Sequence, residues 1–345
     1  MLRPTVKDIA KNAGVSLATV DRVLNGRPGV RKSTIDAVFK TIDEIGYVRD
    51  IGAANLARRR EYKLVFVLAE GDNQSSVAVE NKINEIISGP STERTVLEVI
   101  KAPADDLHKV ANILNSLRKK NYDGVAIMAP ETPLVRDAIH HLKEAGVSVV
   151  TLVSDIPDSG RDHYVGIDNV AAGRIAGFLM SRFLGQQGGK VLVTSGSMRL
   201  RDSVERRLGF DSYILDKNQP VNALATVEGH DSIEILTNAV SNALLLHPDI
   251  RGFYSVGAGI RALLALLRGT ERMESVFVIA HDLTPQTREG LENETIDAVI
   301  AQNVGHMVRS AIRVLKAVSD GSQIGPAQEL IRIDIVLKEN LFNWS

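Results

Sequence analysis

The 345-residue sequence contains no cysteine. That excludes a disulfide framework, a thiolate zinc site, an iron–sulfur cluster and a cysteine nucleophile, and it fits a reducing compartment. Aromatic residues make up 4% of the chain, and the single tryptophan, Trp344, lies next to the last residue, so a Trp-lined oligosaccharide platform is not expected. No apolar run approaches the roughly 20 residues that span a bilayer, and the opening MLRPTVKDIAKNAG has no apolar stretch of signal-peptide type. The expectation is a cytoplasmic protein without a membrane partner. What is present is ordinary: 44% apolar and 24% charged residues, the composition of a globular protein. The length suits about two domains and a core that needs no staple.

The net charge of −1 conceals an asymmetry. Residues 1–61 carry 12 Lys+Arg against 7 Asp+Glu, and the remainder 29 against 35. A basic head on an acidic body suggests an anionic partner for the head. Three short helical patterns fill that head. The first starts at Thr5 with Asp8 three residues on, an acidic form of the capping box. It places Val6, Ile9, Ala10 and Ala13 on one face and stops at Gly14. Ser16 caps the second, striped by Val20, Val23 and Leu24 and ended by Asn25-Gly26. Ser33 is expected to cap the third, with Ile35, Val38, Ile42 and Ile45 inward and Gly46 at its close. Two helices joined by a few residues around a glycine make a helix-turn-helix. Its second helix offers Leu17, Ala18, Asp21 and Arg22 to base edges in a major groove, Arg22 being suited to bidentate contact with guanine. Ser16, Thr19, Asn25 and Thr34 are short side chains suited to phosphate oxygens. The pattern alone also allows a three-helix bundle that docks a protein.

The segment TVKDIAKNAGVSLATVDRVLNGRPGVRKSTIDAVFKTIDEIGYVRD resembles the headpiece of the lactose/galactose repressor (LacI/GalR) family of bacterial transcription regulators, through VKDIAKNAGVS, the TV-x-RVLNG run, V-x-x-x-T before helix three and the terminal GY. The resemblance implies operator DNA as partner and a hinge helix after the headpiece, where GAANLARRR stands. Leu56 would be the wedge that each subunit of a dimer inserts into the minor groove, kinking the DNA. One position departs from the family, which usually has Ser where this chain has Asp21. A phosphate contact is therefore not carried over to Asp21, which instead would help set operator preference.

From Tyr62 onward, short apolar strands alternate with amphipathic helices. LVFVLAE, TVLEVI, GVAIMAP and VSVVTLV read as strands, with helices KVANILNSLRKK and PLVRDAIHHLKEAG. After YVGIDN the rhythm restarts and runs to the strand IDAVIAQ, with ALATVEG among its strands. Such alternation means parallel α/β sheets with right-handed crossovers, whose ligands bind beyond the carboxyl ends of the strands. This part resembles the two-lobed periplasmic-sugar-binding-protein fold that the family uses as effector domain.

The expected architecture is thus α/β: an all-α helix-turn-helix headpiece (1–50), a hinge (51–61) and a two-lobed parallel α/β domain (62–345). Lobe one would hold about 62–166 and 304–331, lobe two about 167–303 and 332–345. Strand ends nominate Glu131, Asp155, Asp231 with its neighbour His230, Asp282, Gln302 and Asn303 as effector contacts. The resemblance supports Asp282 and adds Arg206, which precedes the Gly of RRLGF by three residues. The family's Asn-Asp pair is missing, replaced by Gly257-Ala258-Gly259. The run SDIPDSGRDHYVGIDN is more similar to ribose- or inositol-type binders, which implies a pentose, hexose or cyclitol. Phe66 and Tyr254 are ring-stacking candidates that also suit strand core.

Catalysis is not expected. No Ser sits in a G-x-S-x-G elbow, and His281 and Asp282 are adjacent on a strand end and should point opposite ways. His140 and His141 lack the i, i+4 spacing of a zinc pair, and Gly185, Gly188 and Gly189 precede a strand rather than a helix. No cofactor or metal is expected. The expectation is a ligand-responsive DNA-binding repressor acting on a near-palindromic operator; the resemblance implies a dimer, the family's tetramers being made through an added C-terminal heptad helix of which IVLKENLFNWS shows no sign. The alternative, a solute binder without a DNA role, accounts for the body and not for the basic head.

Overall fold

The computed structural model describes residues 4–24, 26–47, 60–71, 74–89, 94–103, 106–230, 232–257, 259–267, 276–322, 324–325 and 329–341. Asn25, Leu56, Asp231 and the hinge segment 51–59 lie outside them. Contacts divide the chain into two units, Met1–Arg60 and Glu61–Ser345.

The first unit holds α1 (Val6–Asn12), α2 (Leu17–Leu24) and α3 (Lys32–Ile45). Asp8 closes the first cap as expected, its Oδ2 accepting from the Thr5 backbone N–H (2.8 Å) and hydroxyl (2.7 Å). Gly14, with φ +64°, turns the chain, and Ser16 Oγ caps α2 by accepting from Thr19 N at 3.1 Å. Ile9, Ala10, Val20, Val23 and Val38 form the buried centre, with Ile35, Ile42 and Ile45 packed against it. Two details differ from expectation. Val6, the first residue of α1, is exposed. The third helix begins two residues earlier than a Ser33 cap allows: Arg31 is its N-cap, with extended backbone, and makes no side-chain cap bond.

The second unit contains two sheets. The first has the order β2 (Thr95–Ala102), β1 (Tyr62–Ala69), β3 (Gly124–Ile127), β4 (Ser148–Leu152), β5 (His163–Val165), and every pairing is parallel. Its strands β1, β3 and β4 are almost wholly apolar and buried, as a sheet covered by helices on both faces requires. Helices α5 (Leu107–Leu117) and α6 (Pro133–Glu144) supply one apolar layer with Val65, Val67, Val125 and Val149. Helices α4 (Gln74–Ser88) and α12 (Val304–Ser319) cover the other face, around Leu64, Phe66, Ala126 and Val150.

The second sheet runs β12 (Ile333–Val336), β11 (Ala298–Gln302), β10 (Phe277–His281), β9 (Ile250–Ser255), β6 (Gly189–Ser195), β7 (Val221–Ala223). ALATVEG is not one strand: β7 and the two-residue β8 (Val227–Glu228) pair separately with β6. A second surprise is β12, which joins β11 antiparallel at the edge. Helices α7 (Asn169–Leu184) and α8 (Arg201–Asp216) cover one face; α9 (Ile233–Leu246), α10 (Ile260–Leu267) and α11 (Pro285–Glu292) lie on the other.

The α7–α8 crossing is unusually close. A Cβ on Gly173 would stand 2.0 Å from the Arg206 carbonyl oxygen, and one on Gly209 2.0 Å from that of Val170. Two helices can approach so closely only where side chains are missing. This contact seats the Arg206 turn of α8 against the start of α7.

Candidate functional site

In the first unit, α2 turns its N-terminal edge to solvent. Leu17 is 49% exposed, and Ser16, Ala18, Asp21 and Arg22 are exposed beside it, with Thr19 and Thr34 half-buried. These residues share a surface because Val20 and Val23 are drawn into the bundle and the helix period places the polar positions opposite. The Asp21 carboxylate accepts from Arg27 Nη1 at 3.2 Å. The Ser16 and Thr19 hydroxyls are hydrogen-bonded to each other at 2.9 Å. The same face thus carries an apolar residue, a long guanidinium and short hydroxyls, the inventory with which a helix meets a duplex.

In the second unit the chemistry gathers around Arg206, which is 1% exposed. Its Nε donates to Asn169 Oδ1 (2.9 Å) and its Nη1 to the Val256 carbonyl (2.8 Å). Asp202, one turn earlier on α8, places Oδ2 3.6 Å from Nη1, and Asp282 places its Oδ2 at 4.0 Å. Asp282 leaves β10 with φ +64°, a conformation that Asp tolerates better than most residues. It accepts from Gln302 Nε2 (3.2 Å) and from Ser75 Oγ (2.9 Å). Ser75 belongs to α4 on the first sheet, so this bond joins the two lobes. A second link runs from the Asp202 backbone N–H to Ser154 Oγ, beyond the end of β4, at 3.4 Å.

Several buried polar atoms of this group have no hydrogen-bond partner among the described residues: Arg206 Nη2, Asp202 Oδ1, Gln302 Oε1 and His281 Nδ1. Buried polar atoms are normally satisfied; of these four, two lie on α8 and two at the carboxyl ends of β10 and β11. Burial pushes the Asp202 carboxyl above the usual carboxylate range, against the pull of Arg206. Burial opposes the charge of Arg206, yet the carboxylates of Asp202 and Asp282 hold its affinity for the proton above the ordinary value. A cavity beside this group is lined by Gln74 and Ser75 from the first lobe and by Gly229, Gly257, His281 and Asp282, among others, from the second.

His281 and Asp282 border the same cavity, contrary to the expected alternation, because the left-handed turn at Asp282 breaks it. They do not form a catalytic dyad. His281 Nε2 shares a hydrogen with the Tyr254 hydroxyl at 2.8 Å, and burial, then the Arg206 charge, drives its pKa well below normal. The ring therefore stays neutral in the fold and titrates near pH 6.5 when unfolded. The unfolded chain binds the extra proton, so stability should fall as pH drops through that value, by up to about 1.4 kcal/mol per pH unit. Chemical denaturation from pH 7.5 to 5.5 should show this slope, and His281→Gln should flatten it.

Of the nominated effector contacts, Arg206, Asp282 and Gln302 come together, and Asn303 is adjacent but caps α12, its Oδ1 accepting from His306 N at 2.8 Å. Asp155 is consumed by its own loop, accepting from Thr151 Oγ1, Ile156 N and, in bidentate fashion, Arg161. Glu131 is held by Arg136 and Arg201. Phe66 and Tyr254 are fully buried, Tyr254 stacking on Phe210 with centroids 4.6 Å apart. Ser75, Asn169, Asp202 and His281 join the site without having been nominated. Asp202 stands at i, i+4 to Arg206, a spacing that does signal a shared helix face; Ser75 sits at the start of a helix whose polar sequence gives little periodic signal. Among the described residues no cluster of His, Cys, Asp or Glu could hold a metal ion, and no helix is long and apolar enough to cross a membrane.

A three-helix DNA-reading unit followed by a two-sheet, two-lobed ligand-binding unit defines a ligand-responsive DNA-binding protein. Residues 5–50 match the bacterial regulatory proteins of the lacI family, and residues 52–323 match the periplasmic binding protein domain. The chain belongs to the lacI family of bacterial transcriptional regulators, with a periplasmic binding protein domain as its effector-responsive part. Catabolite control protein A of Priestia megaterium is 26% identical over 277 residues, 79% of this chain and 73% of that protein. The HTH-type transcriptional regulator CelR of Thermobifida fusca is 26% identical over 288 residues, 81% and 82% of the two chains. Among solved structures, a solute-binding protein from Burkholderia graminis in complex with D-arabinose superposes with a TM-score of 0.73 at 21% identity, covering 83% of this chain and 99% of that one; at that identity the likeness is one of fold.

Proposed function

We propose that this regulator is a cytoplasmic homodimeric repressor of a sugar- or cyclitol-utilisation operon, released from a near-palindromic operator when a pentose, hexose or cyclitol enters the cleft. The observation that carries this reading is the buried Arg206 fork with a spare donor, flanked by Asp202 and Asp282 and closed over by Ser75. Vicinal hydroxyls donate to carboxylates and accept from a guanidinium at once, so Arg206, Asp202, Asp282 and Gln302 suit a small polyol. Glu131 and Asp155 are left out because their carboxylates are already engaged within the protein. Asp231, nominated from its place after VEG, stays a proposal from sequence alone. An effector acts here only by binding the two lobe arrangements with different affinity.

On the DNA side, Leu17, Ala18 and Arg22 are assigned to base edges. Ser16, Thr19 and Thr34 are assigned to phosphates, as is Asn25 from sequence alone; Leu56 follows from the family resemblance. Arg22→Ala should cost roughly 1–3 kcal/mol on the preferred operator and relax selection at one base pair, as a binding selection from random DNA would show. Unchanged selectivity would remove Arg22 from the base-reading set.

The direct test of the cleft is thermal stability against pentoses, hexoses, cyclitols, sugar phosphates and purines. A ligand at a hundred times its dissociation constant adds about 2.7 kcal/mol, enough to move the midpoint by several degrees. A shift with one sugar or cyclitol supports the proposal. A flat response to all of them, or a shift with purines alone, overturns it.

A further inference from the structure

We infer that Glu131 and Arg201 form a clasp across the mouth of the cleft, a positioning pair that holds the effector-free lobes together without touching the effector. Glu131 follows β3 on the first sheet, whereas Arg201 opens α8 beside the second. Arg201 Nη1 donates to Glu131 Oε2 at 3.0 Å, so the pair spans the lobes. Each partner is braced within its own lobe. Arg136 Nη2 donates to the other Glu131 oxygen at 2.6 Å, and Arg201 Nε donates to Glu205 Oε1 at 2.6 Å.

The network contains two cations and two carboxylates, so it is neutral. Its side chains are between 22% and 37% exposed. Isolated exposed pairs contribute little because ordering two long side chains offsets their attraction. Here the ordering is done inside each lobe, by Arg136 on one side and Glu205 on the other. Closing the lobes then brings together a preformed acceptor and a preformed donor, which lowers the entropic cost of the contact. The Glu131 hydrogen bond is the leading reason that Arg201 holds its proton above the ordinary value.

Where the chain crosses between the lobes, Asn169 Nδ2 donates to the Tyr164 hydroxyl (3.1 Å) and to the Val153 carbonyl (3.2 Å); within the cleft, the links Ser75–Asp282 and Ser154–Asp202 belong to the group assigned to the effector. An entering ligand competes with those bonds, whereas it leaves the clasp intact. Glu131 then acts on effector affinity through lobe geometry. This assignment rests on the cleft being the effector site, but its test uses no effector, so the two can fail separately.

The absence of cysteine allows clean paired labelling. Leu134→Cys on α6 and Leu208→Cys on α8 are both exposed positions, one in each lobe. Spin labels there report the lobe separation of the full chain by pulsed electron resonance. The parent should show one dominant short distance. Glu131→Gln should shift the closed-to-open ratio toward open by roughly threefold to tenfold. Arg201→Gln should do the same, and the double variant should add nothing further, since either change removes the one shared bond. Arg201→Lys should recover most of the short distance. The internal control Arg174→Gln, which breaks an exposed pair with Asp216 inside lobe two, should leave it unchanged. A short distance that persists in both single variants, or additive losses in the double, would overturn the clasp.

Discussion

Replacing Arg206 with methionine should lower the stability of the two-lobed unit by about 3–5 kcal/mol, the range seen when one partner of a buried charged group is removed. The side chain is 1% exposed and its change strands four acceptors at once. Asn169 Oδ1 and the Val256 carbonyl lose their donors, and Asp202 and Asp282 lose the cation between them. A methionine fills part of the volume, so packing is not the main loss; uncompensated polar groups are. Denaturant unfolding followed by circular dichroism should show the transition of this unit move to lower denaturant while that of the headpiece stays in place. Arg206→Lys should recover some of the loss, because an ammonium restores the charge without the planar fork. A methionine variant within 1 kcal/mol of the parent would mean that the three side chains are not coupled as their geometry indicates.

Asp282→Ala should separate sensing from DNA binding. Asp282 joins Gln302, Ser75 and the edge of Arg206, and its carboxylate is the acceptor assigned to effector hydroxyls. Two hydrogen bonds to a charged group, at about 1.5–3 kcal/mol each, amount to a loss of roughly hundredfold or more in effector affinity. The substitution is far less costly to the fold than that at Arg206, because Asp282 is partly exposed and no buried cation is left alone: Asp202 still faces Arg206. Titration calorimetry with whichever compound stabilises the parent should show no measurable binding, while anisotropy with operator DNA should give an affinity within about twofold of the parent. A variant that still responds to the effector at the parental concentration would exclude Asp282 from the site.

Much of this was legible in the residues themselves, for reasons that differ by region. The headpiece helices announced themselves because Thr5, Asp8, Gly14 and Ser16 are local signals that act within one turn of chain. The third helix start was misassigned because Ser33 is a good cap in general, whereas here the extended backbone at Arg31 sets the entry. In the body, continuous apolar runs gave the buried strands, but the short β7 and β8 were fused into one because nothing in ALATVEG marks the break between them. The antiparallel β12 depends on the chain returning from α12, packed on the first sheet, to the edge of the second, a tertiary fact with no local signature.

The site divided along the same line. Arg206 and Asp282 stood out by motif and strand end. The partner Asn169 became visible only when the α7–α8 crossing, permitted by Gly173 and Gly209, brought the two helices together, whereas Asp202 lies one turn from Arg206 on the same helix. Glu131 and Asp155 were nominated by strand ends too, yet neighbouring arginines had already claimed their carboxylates. Position beyond a strand identifies who can reach a cleft, and the local charge partners decide who remains available to a ligand.

Control of DNA affinity by a small polyol in the cleft is the proposed regulation. It is tested most directly by operator binding of the full chain, on a near-palindromic site selected from random DNA, with and without the compound that raises its melting temperature. At saturating compound the dissociation constant for the operator should rise at least tenfold, a coupling of about 1.4 kcal/mol, and the reciprocal loss of compound affinity on the operator complex should match it. Superimposable operator isotherms with and without bound compound would contradict the account.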